Sequence, residues 1–216
     1  AGAADHLGLN ESVPATCFPT AATMANSWDI ELGEALGTAL GREAAANDVQ
    51  IVLGPGLNIK RSPLCGRNFE YFSEDPFLSG EMAASYVGAA EKLGVNTLIK
   101  HFALNDSETD RQGLGVWLQE QAAREIYLKA FQKSLEESGG NGIMTAYTRW
   151  GAIWSGGLKG LMTNIMRNEW GNLGMSITDN VITPMVTGAD GVLAGTTTYD
   201  AMLPNINNEL PGFEND

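Results

Sequence analysis

Four polar residues close or follow short apolar runs of the sequence, where they could take part in chemistry together. They are Lys100, His101, Tyr147 and Asp179. A carboxylate can act as a nucleophile, and lysine, histidine and tyrosine side chains can donate hydrogen bonds to a ligand. A single aspartate after a strand is more often a helix cap, but four polar residues in equivalent places predict a functional site. If the runs are parallel strands, their carboxyl ends share one rim, where α/β barrels build active sites.

The loop over residues 63–77, PLCGRNFEYFSEDPF, adds a second set of polar groups. It places Arg67 and several carboxylates among aromatic residues. Such a mixture suits a sugar, because its C–H faces stack on rings and its hydroxyls need paired donors and acceptors. The structural alternative is that Arg67 pairs with Glu70 or Glu74 only to order the loop. Composition leaves both interpretations open.

The elements that would position these groups follow from the spacing of apolar residues. A spacing of three or four predicts helices, and short apolar runs predict strands. The predicted helices cover residues 29–47, 79–93, 118–138 and 158–170. The predicted strands cover residues 49–53, 95–102, 142–147 and 174–179, followed by a last apolar run at 189–195.

The first two helices and the first strand carry more detailed expectations. Asp29 is expected to cap the first helix, which would bury a stripe formed by its leucines. Ser79 is expected to cap the second helix, and Gly94 to end it. The strand at residues 49–53 is expected to be buried. The stripe consists of Leu32, Leu36 and Leu40.

Strands that alternate with long helices indicate an α/β fold, because parallel strands need crossover connections that pack back on the sheet. The alternatives are a barrel and an open doubly wound sheet. The glycine-rich phosphate-binding motifs G-x-G-x-x-G and G-x-x-x-x-G-K-[ST] follow none of the predicted strands, which disfavours a nucleotide-binding open sheet. A chain of 216 residues is expected to form one domain over residues 1–216, somewhat short of the roughly 250 residues of a complete eight-fold barrel.

Composition restricts the partners and the compartment. The chain has 13 basic and 26 acidic residues, hence a formal net charge of −13, which disfavours nucleic acid and anionic membranes as partners. With neither a signal peptide nor a membrane-spanning run in view, a cytoplasmic protein is expected. Cys17 and Cys65 are expected to be free thiols. His6 and His101 are the only histidines and lie far apart in sequence, so no metal site and no cofactor are predicted.

Five segments together resemble the catalytic barrel domain of glycoside hydrolase family 3, which comprises β-glucosidases and related exo-acting enzymes. They occur in the order of that family and span nearly the whole chain. They are VPATCFPTAATMANSWD (residues 13–29), LGPGLNIKRSPLCGRNFEYFSEDP (53–76), LIKHFALNDSETDR (98–111), MTAYTRW (144–150) and SITD (176–179). The resemblance implies a (β/α)8 TIM-like barrel, incomplete at its N-terminus.

The resemblance also implies roles for individual residues. Asp179 is similar to the catalytic nucleophile of a retaining glycosidase, in which a second carboxyl group about 5 Å away protonates the leaving oxygen. The residues that would bind the sugar are Arg67, Lys100, His101, Met144, Tyr147 and Asn180. Asn180 departs from the family, because many members have a sugar-walling tryptophan directly after the nucleophile.

Two further departures concern missing parts. An Asp-Gly-Pro segment that binds the sugar in family members is absent, and so is the sandwich domain that carries the acid/base carboxylate in the glucosidase branch. We therefore expect the partner of this chain to be a saccharide together with a sandwich domain, on the same polypeptide or another chain. This chain alone is expected to bind sugar weakly and to turn it over poorly or not at all.

The function implied is a retaining, exo-acting β-glycosidase that hydrolyses terminal β-linked sugars through a covalent glycosyl-enzyme at Asp179. One alternative, motivated by Asn180 and the missing acid/base, is a degenerate barrel that binds a saccharide without cleaving it. Another retains catalysis but changes the chemistry, with Lys100 forming a Schiff base to a carbonyl substrate.

Overall fold

The protein is built from short parallel strands covered by helices, and a computed structural model describes residues 14–179. The strands in this range are β1 (Ile51–Val52), β2 (Asn96–Phe102), β3 (Gly115–Val116), β4 (Gly142–Thr145), β5 (Arg149–Trp150), β6 (Ile153–Trp154) and β7 (Ser176–Ile177). The α-helices are α1 (Ala21–Ala25), α2 (Ile30–Ala46), α3 (Pro76–Glu91), α4 (Glu120–Ala122) and α5 (Lys129–Ser138). Two π-helical segments, Ala123–Tyr127 and Gly160–Glu169, and a 3₁₀ turn at Ser155–Gly157 complete the helical structure.

Four of the strands form one parallel sheet in the order β1-β2-β4-β7. Ile51 pairs with Asn96 at one side, and Ile143 pairs with Ser176 at the other. Since all four strands point the same way, their carboxyl ends lie along one edge of the sheet. A second, three-stranded sheet in the order β3-β5-β6 stands beside it.

The predicted alternation of strands and helices is confirmed over the described residues, while residues 180–216, including the apolar run 189–195, lie outside them. The predicted helix at 118–138 is divided into α4, the first π-helical segment and α5, which meet near Leu128. The Leu128 N–H donates to the carbonyl of Ala123 rather than to the carbonyl four residues back. Helix α5 ends at Ser138, the predicted end of this helix, and is followed by Gly139 with a φ of 78°.

The caps of the first two long helices differ in how well sequence predicts them. The Asp29 carboxylate accepts hydrogen bonds from the first backbone N–H groups of α2, as predicted. The second helix begins earlier than predicted, because the Asp75 carboxylate caps it and Pro76 occupies its first turn. Proline suits that position, since its missing N–H would have no intrahelical acceptor. Ser79 is therefore an interior residue of α3 and not its cap.

Helix α2 buries a glycine face rather than the predicted leucine stripe. Leu32 is exposed, and Leu36 and Leu40 only flank the core. The buried positions are Gly33, Gly37, Gly41 and Ala44. A Cβ atom at Gly37 would overlap the backbone carbonyl of Tyr86 in α3, so the two helices approach closely only because these side chains are absent.

Strand β1 is more exposed than predicted. Ile51 retains 38% and Leu53 retains 45% of its accessible surface. β1 is the outermost strand of the described sheet on this side, so its apolar side chains are covered from one direction only. The prediction of a buried first strand is thus wrong for the described residues.

The core lies between the sheet and helices α3 and α5. Phe102 of β2 packs edge-on against Phe131 of α5, with ring centroids 5.1 Å apart, and Trp170 adds a third ring. Cys17 and Cys65 are both free thiols, as predicted. Within residues 14–179, no helix has the combination of length and apolar character that crossing a bilayer requires.

Candidate active site

Polar side chains from three strand ends and one loop converge at the carboxyl edge of the parallel sheet. Lys100 and His101 lie near the carboxyl end of β2, Tyr147 follows β4, and Asp179 follows β7. The loop before α3 brings further charged groups over the same edge. We call this set the strand-end rim: Arg67, Glu70, Lys100, His101, Tyr147 and Asp179.

Glu70 joins the two cations of the strand-end rim. Its Oε1 accepts a close hydrogen bond from Nε of Arg67, and its Oε2 lies 3.4 Å from Nζ of Lys100. The three side chains keep only 16–23% of their accessible surface. The pairing of Arg67 with Glu70 is the structural alternative drawn from the sequence. The same pairing also presents the guanidinium and the ammonium together at the edge where Asp179 lies.

His101 is held through both its backbone and its ring. The side-chain amide of Asn58 donates to the His101 carbonyl and accepts from the His101 N–H, both at 2.9 Å. The Tyr71 hydroxyl lies 3.0 Å from Nδ1 of the ring. The peptide bonds Lys100–His101 and Phe102–Ala103 are both cis. His101 is 2% exposed, so its ring has little freedom to rotate.

The other ring nitrogen of His101 faces the candidate nucleophile. Nε2 lies 3.7 Å from Oδ2 of Asp179, whose side chain is 20% exposed. Burial lowers the pKa of His101 well below its ordinary value, and the nearby cations Arg67, Lys100 and Arg111 lower it further. The imidazole is therefore neutral at pH 7, so its contact with Asp179 is not an ion pair. At 3.7 Å it is also longer than a hydrogen bond.

A second layer of paired groups supports Tyr147. Arg111 stacks over the Tyr147 ring, 4.8 Å from its centroid, and donates to Oε2 of Glu108 at 2.8 Å. Oε1 of Glu108 accepts from the Asn105 amide at 2.8 Å. Burial raises the pKa of Tyr147 to about 12, with the charge of Asp179 adding to the shift. Tyr147 thus keeps its proton and can act as a donor.

The remaining predicted site residues divide into one that is placed and one that is not. Met144 lies in β4, next to the strand-end rim, and is 5% exposed. Asn180 lies outside the described residues. The structure therefore brings six of the seven predicted side chains to one edge of the sheet, and their roles toward a ligand stay predictions.

Asp106 is a buried carboxylate just after β2. It is 2% exposed, accepts from the backbone N–H of Ile59 at 3.1 Å, and lies 3.8 Å from Nε of Arg61. Burial raises its pKa to about 6, against the opposing effects of Arg61 and the Ile59 hydrogen bond. Its second oxygen, Oδ2, has no hydrogen-bond partner within residues 14–179.

Two aromatic residues of the loop at 63–77 are not placed to stack on a sugar, contrary to the expectation from the sequence. Tyr71 and Phe72 are buried, at 0% and 4% exposure, whereas Phe69 and Phe77 are exposed, at 59% and 58%. The sequence gives no direct signal for the contacts of Tyr71, Asn58 and Asn105 with His101 or with each other, because the partners are distant in sequence. The only hint is that Asn105 closely follows the predicted strand at residues 95–102.

The family of the chain is shown by comparison with known proteins. Residues 4–195 match the model described as the glycosyl hydrolase family 3 N terminal domain. The chain belongs to this family.

Individual relatives agree with this assignment. The chain is 44% identical over 191 residues to thermostable beta-glucosidase B of Acetivibrio thermocellus. The aligned region covers 88% of this chain and 25% of the relative. It is 42% identical over 179 residues to an exo-alpha-(1->6)-L-arabinopyranosidase of Bifidobacterium longum, covering 83% of this chain and 24% of the relative. The chain thus spans about a quarter of the length of these curated relatives.

A solved structure extends the likeness to three dimensions. Beta-glucosidase 3B of Thermotoga neapolitana in complex with glycerol superposes with a TM-score of 0.84 at 36% identity, over 91% of this chain and 27% of that one. The predicted fold class, a TIM-like α/β barrel, is confirmed by the family and this neighbour together with the parallel sheet covered by helices.

Proposed function

We propose that the protein is a retaining, exo-acting β-glycosidase of the β-glucosidase type, with Asp179 as its nucleophile. The observation that carries the proposal is the position of the Asp179 carboxylate. It follows a parallel strand at the carboxyl edge of the sheet and faces a neutral His101 at 3.7 Å. The barrel folds use this edge for catalysis, and the neighbouring donors are those that a sugar with several hydroxyls needs.

Each side chain has a task in this mechanism. The Asp179 carboxylate attacks the anomeric carbon while the bond to the leaving-group oxygen breaks, and the acid/base carboxyl group protonates that oxygen. Water, deprotonated by the same acid/base group, then hydrolyses the glycosyl-enzyme and frees Asp179. Arg67, Lys100 and His101 donate hydrogen bonds to sugar hydroxyls, and Tyr147 adds a donor beside the nucleophile. The Lys100 ion pair with Glu70 suits a charged hydrogen-bond donor better than the Schiff-base chemistry considered as an alternative.

The acid/base carboxylate is proposed to lie outside this chain, on a further domain. Within residues 14–179, several acidic side chains near the rim residues in sequence contact other groups, including Asp106, which accepts from the Ile59 backbone N–H and lies 3.8 Å from Arg61. Glu70 binds Arg67 and Lys100, and Glu108 binds Arg111 and an amide. Supporting this proposal, the matched part of this chain corresponds to only 25% and 24% of the two relatives.

The test uses the protein expressed from its complete gene. An aryl β-glucoside should be hydrolysed with retention, which NMR of the first-formed anomer measures. A 2-fluoro sugar with a good leaving group should label a peptide that contains Asp179. Because the relatives act on different sugars, an aryl α-L-arabinopyranoside belongs in the same substrate panel.

Asp179→Asn is expected to abolish labelling and to reduce turnover by at least about 10³-fold, since the nucleophile itself is lost. Asp48→Asn is the matched control, because Asp48 is exposed and its positive φ of 56° suits asparagine. Full labelling of the Asp179 variant would refute the nucleophile assignment. Glucose binding by calorimetry without hydrolysis of any panel member would favour the alternative, a saccharide-binding barrel without catalysis.

A further inference from the structure

A series of four side-chain contacts connects Arg111 to the His101 ring. Arg111 donates to Glu108, and Glu108 accepts from the Asn105 amide, both at 2.8 Å. The same Asn105 nitrogen lies 3.4 Å from the Tyr71 hydroxyl, which is 3.0 Å from Nδ1 of His101. Which group donates in each of these hydrogen bonds determines which nitrogen of His101 carries the proton.

The direction begins at Glu108, because a carboxylate paired with arginine can only accept. The Asn105 amide must therefore present its NH₂ group to Glu108, which fixes which end of the amide is nitrogen. That same NH₂ group is the part of Asn105 nearest to the Tyr71 oxygen. Tyr71 consequently accepts on this side and cannot donate to it.

Among residues 14–179, the hydrogen of the Tyr71 hydroxyl then has one acceptor in reach, Nδ1 of His101. In the opposite tautomer, two N–H groups would point at the Tyr71 oxygen, and the hydroxyl hydrogen would have no acceptor within the described residues. Tyr71 is completely buried, and an unsatisfied buried donor is costly. Burial also raises the pKa of Tyr71, so its proton stays on the oxygen.

We propose that Tyr71, oriented by Asn105 and Glu108, is a positioning residue that holds His101 as its Nε2–H tautomer. In this form the single ring N–H points toward Oδ2 of Asp179, 3.7 Å away, and toward the sugar that Asp179 attacks. The inference rests on the proposed function for its consequence in catalysis, but the tautomer itself does not depend on that function.

The tautomer is measured by ¹⁵N NMR of the complete protein with labelled histidine, where the His101 signals are those lost in His101→Gln. We expect Nε2 to be protonated and Nδ1 to be an unprotonated acceptor. In Tyr71→Phe, Nδ1 should shift toward the position of an acceptor without a hydrogen bond, while the ring contact of residue 71 with His101 remains. A protonated Nδ1 in the wild type, or an unchanged Nδ1 shift in the variant, would overturn the proposal.

The consequence for catalysis is a separate measurement. Tyr71→Phe should lower kcat/KM for the aryl glycoside by about 10-fold to 100-fold, the effect of losing one buried hydrogen bond at a reacting group. Tyr86→Phe is the matched control and should leave kcat/KM unchanged, because Tyr86 is also a buried tyrosine, 7% exposed, and lies in α3 outside the strand-end rim. Equal kcat/KM for Tyr71→Phe and wild type contradicts the positioning role.

If the protein hydrolyses no glycoside, the proposed function fails while the NMR result still decides the tautomer. In that case the affinity for glucose, measured by calorimetry, replaces kcat/KM, and Tyr71→Phe should weaken it relative to Tyr86→Phe. The same affinity in both variants would overturn the positioning role without reference to catalysis.

Discussion

At the strand-end rim, ion pairs and hydrogen bonds fix each side chain, whereas the contact between α2 and α3 depends on residues that have no side chain. Glu70 spans two cations in the first region. In the second, Gly33, Gly37 and Gly41 allow one helix backbone to approach the other. The rim therefore depends on the chemical identity of its residues, and the helix contact depends on their size.

We therefore expect the strand-end rim to serve ligand binding and the α2–α3 contact to serve folding. A change of charge at the strand-end rim should alter ligand binding more than stability, since the backbone beneath it is held by the sheet. A change of size between α2 and α3 should alter stability alone, because no residue of the strand-end rim belongs to either helix. Three substitutions test how sharply the two regions divide.

The largest effect is expected for Gly37→Val. A Cβ atom at this position would overlap the Tyr86 carbonyl, and a backbone atom cannot move aside as a flexible side chain can. The free energy of unfolding should fall by about 3 kcal/mol or more, measured by urea denaturation. Gly160→Val is the control, because a Cβ atom there meets no atom within 4 Å. Similar losses in both variants would mean that helix propensity, and not close approach, governs the contact.

The second effect concerns Asp106, a buried carboxylate whose ionisation lowers the free energy of unfolding. Because the folded-state pKa of Asp106 is about 6, above the unfolded value of 3.8, the folded state binds more protons between pH 4 and 6. The contribution of Asp106 to wild-type stability therefore falls as pH rises through this window, and ionised Asp106 costs roughly 2 to 3 kcal/mol above it.

Asp106→Asn removes this titration. The stability difference, variant minus wild type, should increase by roughly 2 to 3 kcal/mol from pH 4 to pH 7 and then stay level. Urea denaturation at several pH values measures it, and groups common to both proteins cancel in the difference. A difference that does not vary with pH would show that Asp106 is ionised throughout this range.

The smallest effect on free energy is expected for Glu70→Gln. A neutral amide leaves Arg67 and Lys100 without the carboxylate that orients them, so the affinity for glucose should fall by about 10-fold, with a small change in stability. Calorimetry measures the affinity, and thermal denaturation measures the stability. Glu34→Gln, which removes the exposed pair with Lys92, should change neither. A large loss of stability with unchanged affinity would place Glu70 with the folding region instead.

Much of the fold follows from the sequence because hydrophobic periodicity reports which residues face the core. The glycine face of α2 escapes this logic. A hydrophobicity pattern gives weight to Leu32 and none to Gly33, although the regular spacing of four between Gly33, Gly37 and Gly41 is visible in the sequence. The cap of α3 can also be predicted from the sequence, since Asp75 followed by Pro76 is a strong helix-start signal.

The candidate site was predictable to the extent that it depends on strand ends. Lys100, His101, Tyr147 and Asp179 meet because adjacent parallel strands must end at one edge. The support around His101 was not predictable in the same way. The contact of Tyr71 with His101 joins residues 30 positions apart, and only the folded loop brings them together.

The pair of hydrogen bonds between Asn58 and the His101 backbone has a consequence for how the site can vary. A side-chain amide here takes the place of a peptide group in the neighbouring strand and continues the ladder that Leu57 makes with the Lys100 carbonyl. The main chain can therefore leave the sheet at Asn58 without exposing the backbone of His101. Insertions or deletions in the loop that follows can reshape the outer wall of a binding cleft while the innermost histidine stays in place.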